Sequence, residues 1–202
     1  MAISGDGQYW NHNTAYHPWL IDIATRHHGD VLDVGCGDGL LAQRLAPVSR
    51  SVTAVDPDST AVQRATDRLA PHDHVRVWQQ SFESYEPGSR RFDLVTFVAS
   101  LHHLDLRASL VKARDLLTPT GEIAVVGLSA NKTVRDWVWA AICVPPARIG
   151  SWLNSETRDV GVVVTDPREG LDDIRRTVDE VLPGATLRRA LYYRYLLRWA
   201  KP

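Results

Sequence analysis

The chain has 202 residues, of which 44% are hydrophobic and 23% charged, and its formal net charge is −1. This length suits one domain, residues 1–202, and the apolar content excludes disorder over most of it. The balanced charge argues against a surface built to bind nucleic acid or anionic lipid.

No targeting or membrane-spanning segment is visible. The first residues have neither the basic region nor the apolar core of a signal peptide. The longest strongly apolar stretch without a formal charge, residues 137–147, is too short to cross a bilayer. The two cysteines, Cys36 and Cys143, offer no disulfide framework and no metal spacing. We therefore predict a cytoplasmic protein that is not an integral membrane protein.

Short β-branched runs alternate with helical patterns, which is typical of a parallel sheet with crossover helices. Because the runs are apolar nearly throughout, we expect these strands to be covered on both faces. The predicted strands are residues 31–34, 51–55, 75–78, 92–98 and 123–127.

Three helical faces follow from apolar residues spaced by three and four. The first face follows Asp58-Ser59, Asp105 is placed as the N-cap of the second, and the sequence Leu182-Pro183-Gly184 ends the third. The residues of the three faces are Val62, Ala65 and Leu69; Leu106, Leu110, Ala113 and Leu117; and Leu171, Ile174, Val178 and Val181.

The end of the chain changes character. Residues 185–190 and 192–199 are strand-like without a helix between them, so they must pair antiparallel. The predicted class is α/β, with a mostly parallel sheet and an antiparallel piece at one edge. Residues 131–165 are irregular, with an apolar helix, the pair Pro145-Pro146 and a polar loop, and indicate an insertion or lid after the fifth strand.

The strongest local motif is the run VLDVGCGDG at residues 31–39, in which a strand enters a glycine-rich turn before a helix. Glycine allows positive φ and lets a ligand approach the backbone. Asp56 ends the next strand, and a carboxylate there can accept hydrogen bonds from both hydroxyls of a ribose. The alternative is a tight structural turn with a surface aspartate. Together the features favour a nucleoside site.

VLDVGCGDG, followed by AVDPD, FDLVTFVASLHHL and LLTPTGEI, resembles the class I S-adenosylmethionine-dependent methyltransferases, specifically the small-molecule enzymes of the methyltransf-11/12 type. The resemblance covers about residues 31–127, and more loosely the C-terminal strand pair. It implies a doubly wound seven-stranded sheet of order 3-2-1-4-5-7-6 with the last strand antiparallel. It also implies S-adenosylmethionine as cofactor, across the carboxyl ends of strands 1, 2 and 4, and S-adenosylhomocysteine as product.

The resemblance further implies cofactor-binding roles. Gly35 and Gly37 would run under the methionine part, with Asp33 supporting the turn, and Asp56 would hold the ribose hydroxyls. The remaining positions are Pro57 beside the adenine, Ser81 where the family often has an aspartate for the adenine amino group, Phe82 after it, and Ala99 beside the sulfonium.

His102 and His103 follow the fourth strand, where the family places residues that face the methyl donor. A histidine can take a proton from a hydroxyl or an amine as it attacks, and His103 is the favoured general base. Two alternatives remain: one histidine serves the fold, or positioning alone drives the reaction.

The N-terminal segment, residues 1–30, is dense in aromatic and polar groups before the first strand. In related enzymes such a segment caps the cofactor. We predict that Tyr16 contacts the cofactor, and that Tyr9 and His17 contact the substrate, with Asn13 nearby. The alternative is a helix N-terminus docked on the sheet. No metal site is expected, because the eight histidines are scattered without matching carboxylates.

Residues 136–142 supply another substrate candidate, Trp137. The segment suits a lid over an apolar acceptor, a dimer contact or an interfacial membrane helix. Its few flanking basic residues, Lys132, Arg135 and Arg148, disfavour the membrane alternative. The tryptophans in and beside the N-terminal segment and the insertion point to an enclosed, largely apolar acceptor site. Either a monomer or a homodimer fits the sequence.

These features predict a methyltransferase that acts on an oxygen or nitrogen atom of a small-molecule metabolite, without a nucleic-acid partner. Two rivals remain. One is an RNA or protein methyltransferase, which the missing basic stripe opposes. The other is a non-catalytic, methyltransferase-like module, since a binding motif does not show turnover.

Overall fold

A computed structural model describes residues 9–153 and 166–202. Within them lie seven strands, in the order β3-β2-β1-β4-β5-β7-β6. The strands are β1 (Asp30–Val34), β2 (Ser51–Asp56), β3 (Val75–Gln79), β4 (Phe92–Val98), β5 (Leu117–Gly127), β6 (Thr186–Ala190) and β7 (Arg194–Ala200). The helices are α1 (His17–His27), α2 (Leu40–Leu45), α3 (Ser59–Leu69), α4 (Leu106–Asp115), α5 (Val134–Leu153) and α6 (Leu171–Val181).

The first five strands pair in parallel, and β7 runs antiparallel between β5 and β6. This arrangement confirms the predicted α/β fold and its strand order. Within the pairing of β5 and β7, Gly127 lies opposite Tyr195, so the start of β7 stands beside the carboxyl end of β5. The C-terminal hairpin therefore reaches the same edge of the sheet as the loops that follow β1, β2 and β4.

Each face of the sheet carries its own core. Successive residues of β1 alternate between the two: Leu32 and Val34 pack with α4 and α6, whereas Val31 packs with α1 and α2. Side chains alternate across a strand in this way, so a strand buried on both faces is apolar at consecutive positions. Full burial of such side chains stabilises the fold by roughly 1.5–3 kcal/mol each.

The predicted N-cap Asp105 is confirmed, and Asp58 caps α3 in the same way. The Asp58 carboxylate accepts from the Ala61 N–H at 2.8 Å, and the Asp105 carboxylate accepts from the Ala108 N–H at 2.7 Å. These bonds satisfy N–H groups that the first turn of a helix leaves without an intrahelical acceptor. The Asp58 cap also fixes the start of α3 directly after β2, where the candidate ribose contact lies.

Leu117 does not belong to the α4 face; that prediction was wrong. The helix ends at Asp115, and Leu117 begins β5 opposite Phe92. The pairing resumes only at Leu94 with Glu122, so residues 118–121 bulge from the strand. A Cβ on Gly121 would lie 2.8 Å from the Phe92 carbonyl oxygen, so the bulge requires glycine there.

The insertion begins with one long helix, because α5 continues through Pro145 to Leu153 rather than ending at the proline pair. Cys143 and Gly150 are buried on its inner side, and this packing overrides the low helix propensity of proline. The polar loop predicted after it falls largely on residues 154–165, and the start of the N-terminal segment on residues 1–8, which lie outside the described residues. The single-domain assignment stays a prediction.

Candidate active site

A cavity of about 930 Å³ opens at the carboxyl ends of β1, β2 and β4. β1 lies between β2 and β4, so the crossover connections leave it toward opposite sides of the sheet. In open α/β sheets this switch point creates a crevice above the strand ends, which is where ligands bind. The loops after these three strands shape the cavity.

The glycine-rich turn after β1 forms one wall. Gly35 has φ +69°, and a Cβ on it would lie 2.4 Å from the Ser100 Cβ, so a side chain does not fit. The N–H groups of Gly35 and Cys36 donate to the Val55 carbonyl at 2.9 and 3.2 Å. The Ser100 hydroxyl donates to the Val34 carbonyl at 2.6 Å. The turn is thus fixed on both sides and presents bare backbone to the cavity.

Asp56 joins this turn to the loop after β2. Its buried carboxylate accepts from the Gly37 N–H through Oδ2 and from the Asp58 N–H through Oδ1, both at 2.9 Å. A carboxylate offers about four lone-pair sites. Two backbone contacts therefore leave acceptor capacity for hydroxyl groups of a ligand.

Asp33 is a buried carboxylate in the cavity lining. Its Oδ1 accepts from the Thr96 hydroxyl at 2.9 Å, whereas Oδ2 has no hydrogen-bond partner among the described residues. Burial, together with the nearby Asp56 charge, raises the pKa of Asp33 to about 7, although the Thr96 bond partly offsets this. A cationic group of a ligand placed beside Asp33 would therefore strongly stabilise the ionised form of this carboxyl group.

The wall beyond β3 contains Ser81 and Phe82. The Ser81 and Ser84 hydroxyls lie 3.0 Å apart. Phe82 is buried and meets Phe97 edge-on, with ring centroids 5.4 Å apart. This contact anchors the loop to the core, and leaves the polar group of Ser81 at the cavity.

The loop after β4 carries the two histidines. Ala99 lies in the left-handed region, with φ +50°, and its N–H donates to the Val126 carbonyl at 2.8 Å. A non-glycine residue there is strained, and the strain accompanies a sharp exit from the sheet into the short helical turn Leu101–His103. The rings of His102 and His103 lie 4.1 Å apart between centroids, and His103 is exposed.

The N-terminal segment closes another side of the cavity. The Tyr9 hydroxyl donates to the Asp38 carboxylate at 3.1 Å, beside the Arg68 guanidinium. The Asn13 side-chain oxygen accepts two bonds from Arg194, at 2.9 and 2.7 Å. One contact reaches the glycine turn and the other the start of β7, so the segment spans the cavity mouth.

His17 is buried at the start of α1 and lines the cavity. Its Nδ1 lies 3.1 Å from an Arg44 guanidinium nitrogen, which can act only as a donor. Burial and the Arg44 charge lower the pKa of His17 to about 3. The ring is therefore neutral at physiological pH, with its proton on Nε2.

A family model for a methyltransferase domain matches residues 31–121. An uncharacterized methyltransferase of Mycobacterium bovis is 35% identical over 196 residues, which cover 96% of this chain and 98% of the relative. The chain belongs to the class I S-adenosylmethionine-dependent methyltransferases. A ubiquinone biosynthesis O-methyltransferase of a Methylobacterium species is 28% identical over 73% of this chain and 63% of the relative.

Solved methyltransferases share the fold. The N-methyltransferase NodS of Bradyrhizobium japonicum, in complex with S-adenosylhomocysteine, aligns with a TM-score of 0.66 at 16% identity, over 100% of this chain and 90% of that one. The plantazolicin methyltransferase BpumL, also with S-adenosylhomocysteine, aligns at 0.62 and 10% identity, over 92% and 84%. Its membership of the family makes the protein a methyltransferase whose cofactor is S-adenosylmethionine.

The residues present fit this cofactor. Gly35 and Gly37 line the cavity with backbone alone, so a ligand meets no side chain at these two positions. The orphaned Asp33 oxygen and the acidic character of the cavity suit a molecule with a sulfonium and an ammonium group. Among the described residues that line the cavity, the charged ones other than histidine are Asp33, Asp38, Asp56, Asp58, Glu83, Asp166 and Arg194.

The structure brings most of the predicted site residues together around this cavity, and their individual roles stay predictions. Those that line it are Tyr9, His17, Asp33, Gly35, Gly37, Asp56, Pro57, Ser81, Phe82, Ala99, His102 and His103.

Tyr16 and Trp137 lie elsewhere and correct the prediction. The Tyr16 hydroxyl donates to the Leu191 carbonyl at 2.7 Å, and its ring meets Tyr192, so it fastens the N-terminal segment to the β6–β7 turn. The Trp137 ring is 64% exposed on α5, and Trp152 is 81% exposed. Trp137 and Trp152 therefore face solvent, whereas Trp139 is half-buried and donates to the Ala190 carbonyl.

Sequence reasoning missed Arg194 and Asp38. Arg194 begins a strand far along the chain from the other lining residues, and no local motif marks it. Asp38 lies inside the glycine-rich run, but the motif identifies the glycines and assigns no role to this aspartate. Its contacts with both Tyr9 and Arg68 appear only in three dimensions.

Two further findings concern membrane-spanning helices and metal ions. None of the described helices is both long and apolar enough to cross a membrane. The same described residues contain no group of three or more His, Cys, Asp or Glu side chains that could hold a metal ion.

Proposed function

We propose that this enzyme transfers a methyl group to an oxygen or nitrogen atom of a small-molecule metabolite. The observation that carries the proposal is the lining of the cavity: apart from the proposed cofactor contacts Asp33 and Asp56, and from Asp38, which pairs with Arg68, its described charged residues other than histidine are Asp58, Glu83, Asp166 and Arg194. A phosphate backbone is bound mainly through Lys and Arg contacts. With one Arg and no Lys among the described lining residues, the cavity favours a small neutral or cationic acceptor over RNA. The relative that is an O-methyltransferase and the structural neighbour that is an N-methyltransferase support these acceptor atoms.

The cofactor contacts are part of this proposal. Asp56 holds the ribose hydroxyls and Asp33 faces the cationic methionine part, above the backbone of Gly35 and Gly37. Pro57, Ser81 and Phe82 surround the adenine, and Ala99 lies beside the sulfonium. When bound, the cofactor supplies an electrophilic methyl group. The chain's own residues orient the acceptor and exclude water around it.

His103 is the proposed general base. As a lone pair of the acceptor forms the new bond to the methyl carbon, the carbon–sulfur bond breaks and its electrons stay on sulfur. The acceptor's hydroxyl or amine proton passes to the His103 imidazole, which releases it to water. His103 suits this role because it is exposed at the cavity after β4, with the His102 ring packed against it.

The function is tested by incubating the protein with methyl-labelled S-adenosylmethionine and separate metabolite, RNA and protein extracts. We expect label in the metabolite fraction. Gly35→Val, whose side chain would collide with Ser100, is the inactive control. Label in RNA or protein alone would establish the first rival. Cofactor binding by calorimetry without labelling of any fraction would favour a non-catalytic module.

The base is tested with His103→Ala. General-base catalysis contributes typically a hundred-fold or more, so we expect kcat to fall by about two orders of magnitude with cofactor affinity unchanged. His72→Ala, a histidine outside the cavity lining, serves as the control. Full turnover by His103→Ala would assign the residue to structure.

A further inference from the structure

Helix α5 presents an apolar surface to solvent. Val134, Val138 and Trp152 lie on one side of the helix at its 3.6-residue period, and Val134 is 81% exposed. Trp137 and Ile142 flank this side and are exposed as well. Contiguous exposed apolar surface of this kind marks an interaction site.

The opposite side of α5 is fixed to the body of the protein. The buried Asp136 pairs with Arg189 of β6 at 2.5 Å and accepts from the Thr133 N–H at 2.8 Å. The indole N–H of Trp139 donates to the Ala190 carbonyl at 3.3 Å. These contacts hold α5 to the C-terminal hairpin and set which side faces outward.

Basic side chains are exposed beside this surface. Within the described segment 131–153 they are Lys132, Arg135 and Arg148, and Lys132 pairs with Asp173 of α6 at 2.9 Å. The one acidic residue of the segment, Asp136, is buried and neutralised by Arg189. Burial removes Asp136 from the surface, and Arg135 and Arg148 leave the apolar face with a net positive charge.

We propose that α5 docks on the surface of an anionic phospholipid bilayer and lies parallel to it. Trp137 and Trp152 are fifteen residues apart, about 22 Å along a helix, so both rings reach the interface only in this orientation. Tryptophan is favoured at the headgroup level, and basic residues attract anionic lipid. The helix cannot cross the bilayer, which agrees with peripheral attachment.

The charges argue against a second copy of the chain as the occupant. Self-association through α5 would bring Arg135 and Arg148 of one copy toward those of the other, and the described part of the segment offers no exposed carboxylate to pair with them. Like charges across an interface are costly. An anionic lipid surface supplies the missing counter-charge.

Docking through α5 would place the active-site cavity beside the membrane. Ser151 on α5 lies 3.3 Å from the His12 ring, and His12 lines the cavity. The inference goes beyond the proposed function and does not depend on it, because membrane attachment is measured without turnover.

The test is co-sedimentation with vesicles of phosphatidylcholine, with and without phosphatidylglycerol. We expect binding to the anionic vesicles that weakens as salt is raised. Replacing both rings, Trp137→Gln with Trp152→Gln, should lower the partition coefficient at least ten-fold. Trp78→Gln on the edge strand β3, also exposed at 51%, is the matched control and should leave it unchanged.

The charge contribution is tested with Arg135→Gln and Arg148→Gln. Each should lower the partition coefficient about five-fold, whereas Arg91→Gln, at the amino end of β4, should not. Circular dichroism and cofactor binding verify that each variant is folded. The proposal is overturned by absent binding to anionic vesicles, by binding that the double tryptophan variant retains, or by a dimer in solution that this variant dissociates.

Discussion

Asp56 shows how one side chain couples the fold to the site. Its carboxylate draws the N–H groups of Gly37 and Asp58 toward one point, and so sets the distance between the turns after β1 and β2. The same group is the proposed acceptor for the ribose hydroxyls. Loss of the side chain removes a ligand contact and also loosens the turn that shapes the site.

We expect Asp56→Ala to weaken S-adenosylmethionine binding by about ten-fold or more, the value of one to two charge-assisted hydrogen bonds. The affinity of Asp56→Asn should lie between those of the native protein and Asp56→Ala, because its amide oxygen still accepts a hydrogen bond but carries no charge. Calorimetry measures both, and Asp67→Ala, an exposed carboxylate on α3, is the control. An affinity for Asp56→Ala equal to that of the control would remove Asp56 from the cofactor site.

Single residues were predictable where their environment is set by near neighbours in sequence. Gly35 and Asp56 follow strands of a parallel sheet, and carboxyl ends of adjacent parallel strands meet at one edge, so their proximity follows from the pattern. Arg194 and Tyr16 depend instead on a contact between the N-terminal segment and the β6–β7 turn. No local pattern reports such a contact, so sequence reasoning missed the first and misplaced the second.

At the level of elements, the buried strands were the most predictable, because β1, β2 and β4 are apolar at consecutive positions. The predicted ends of elements were wrong where tertiary packing decides them. Leu117 has the spacing of a helix residue but pairs with Phe92 in β5. Tyr192 and Tyr193 have strand propensity yet take φ of 57° and 60°, since the chain must reverse between β6 and β7.

The exposed side of helix α5 also could not be predicted from the sequence. Its apolar sequence is compatible with a lid, an interface or a membrane helix, and periodicity alone cannot say which side faces the protein. The Asp136–Arg189 pair decides that question. The hydrogen bonds from Arg189 and Thr133 outweigh the effect of burial and lower the pKa of Asp136 to about 2, so this anchor persists throughout the physiological range.

For the whole molecule, two buried groups give stability opposite dependences on pH. Asp33 keeps a proton up to about pH 7 in the folded state, against 3.8 for its ordinary value. Stability therefore falls as pH rises through this window. In the folded state His17 stays unprotonated down to about pH 3, whereas its ordinary pKa is 6.5. Its contribution falls as pH drops below 6.5. Between about pH 4 and 6.5 the two slopes, each up to ~1.4 kcal/mol per pH unit, oppose one another.

A substitution at Asp33 or His17 should remove one of the two opposing pH dependences of the free energy of unfolding and leave the other measurable. Asp33→Asn copies the protonated carboxyl, so the His17 slope remains and the free energy of unfolding should rise with pH over this window. His17→Gln should show the reverse, with stability falling toward neutral pH. Urea unfolding followed by circular dichroism, without cofactor, measures both, and Asp67→Asn is the exposed control. If Asp33→Asn kept the pH dependence of the native protein, Asp33 would be ionised in the folded state, and its burial would have to be compensated by groups other than Thr96.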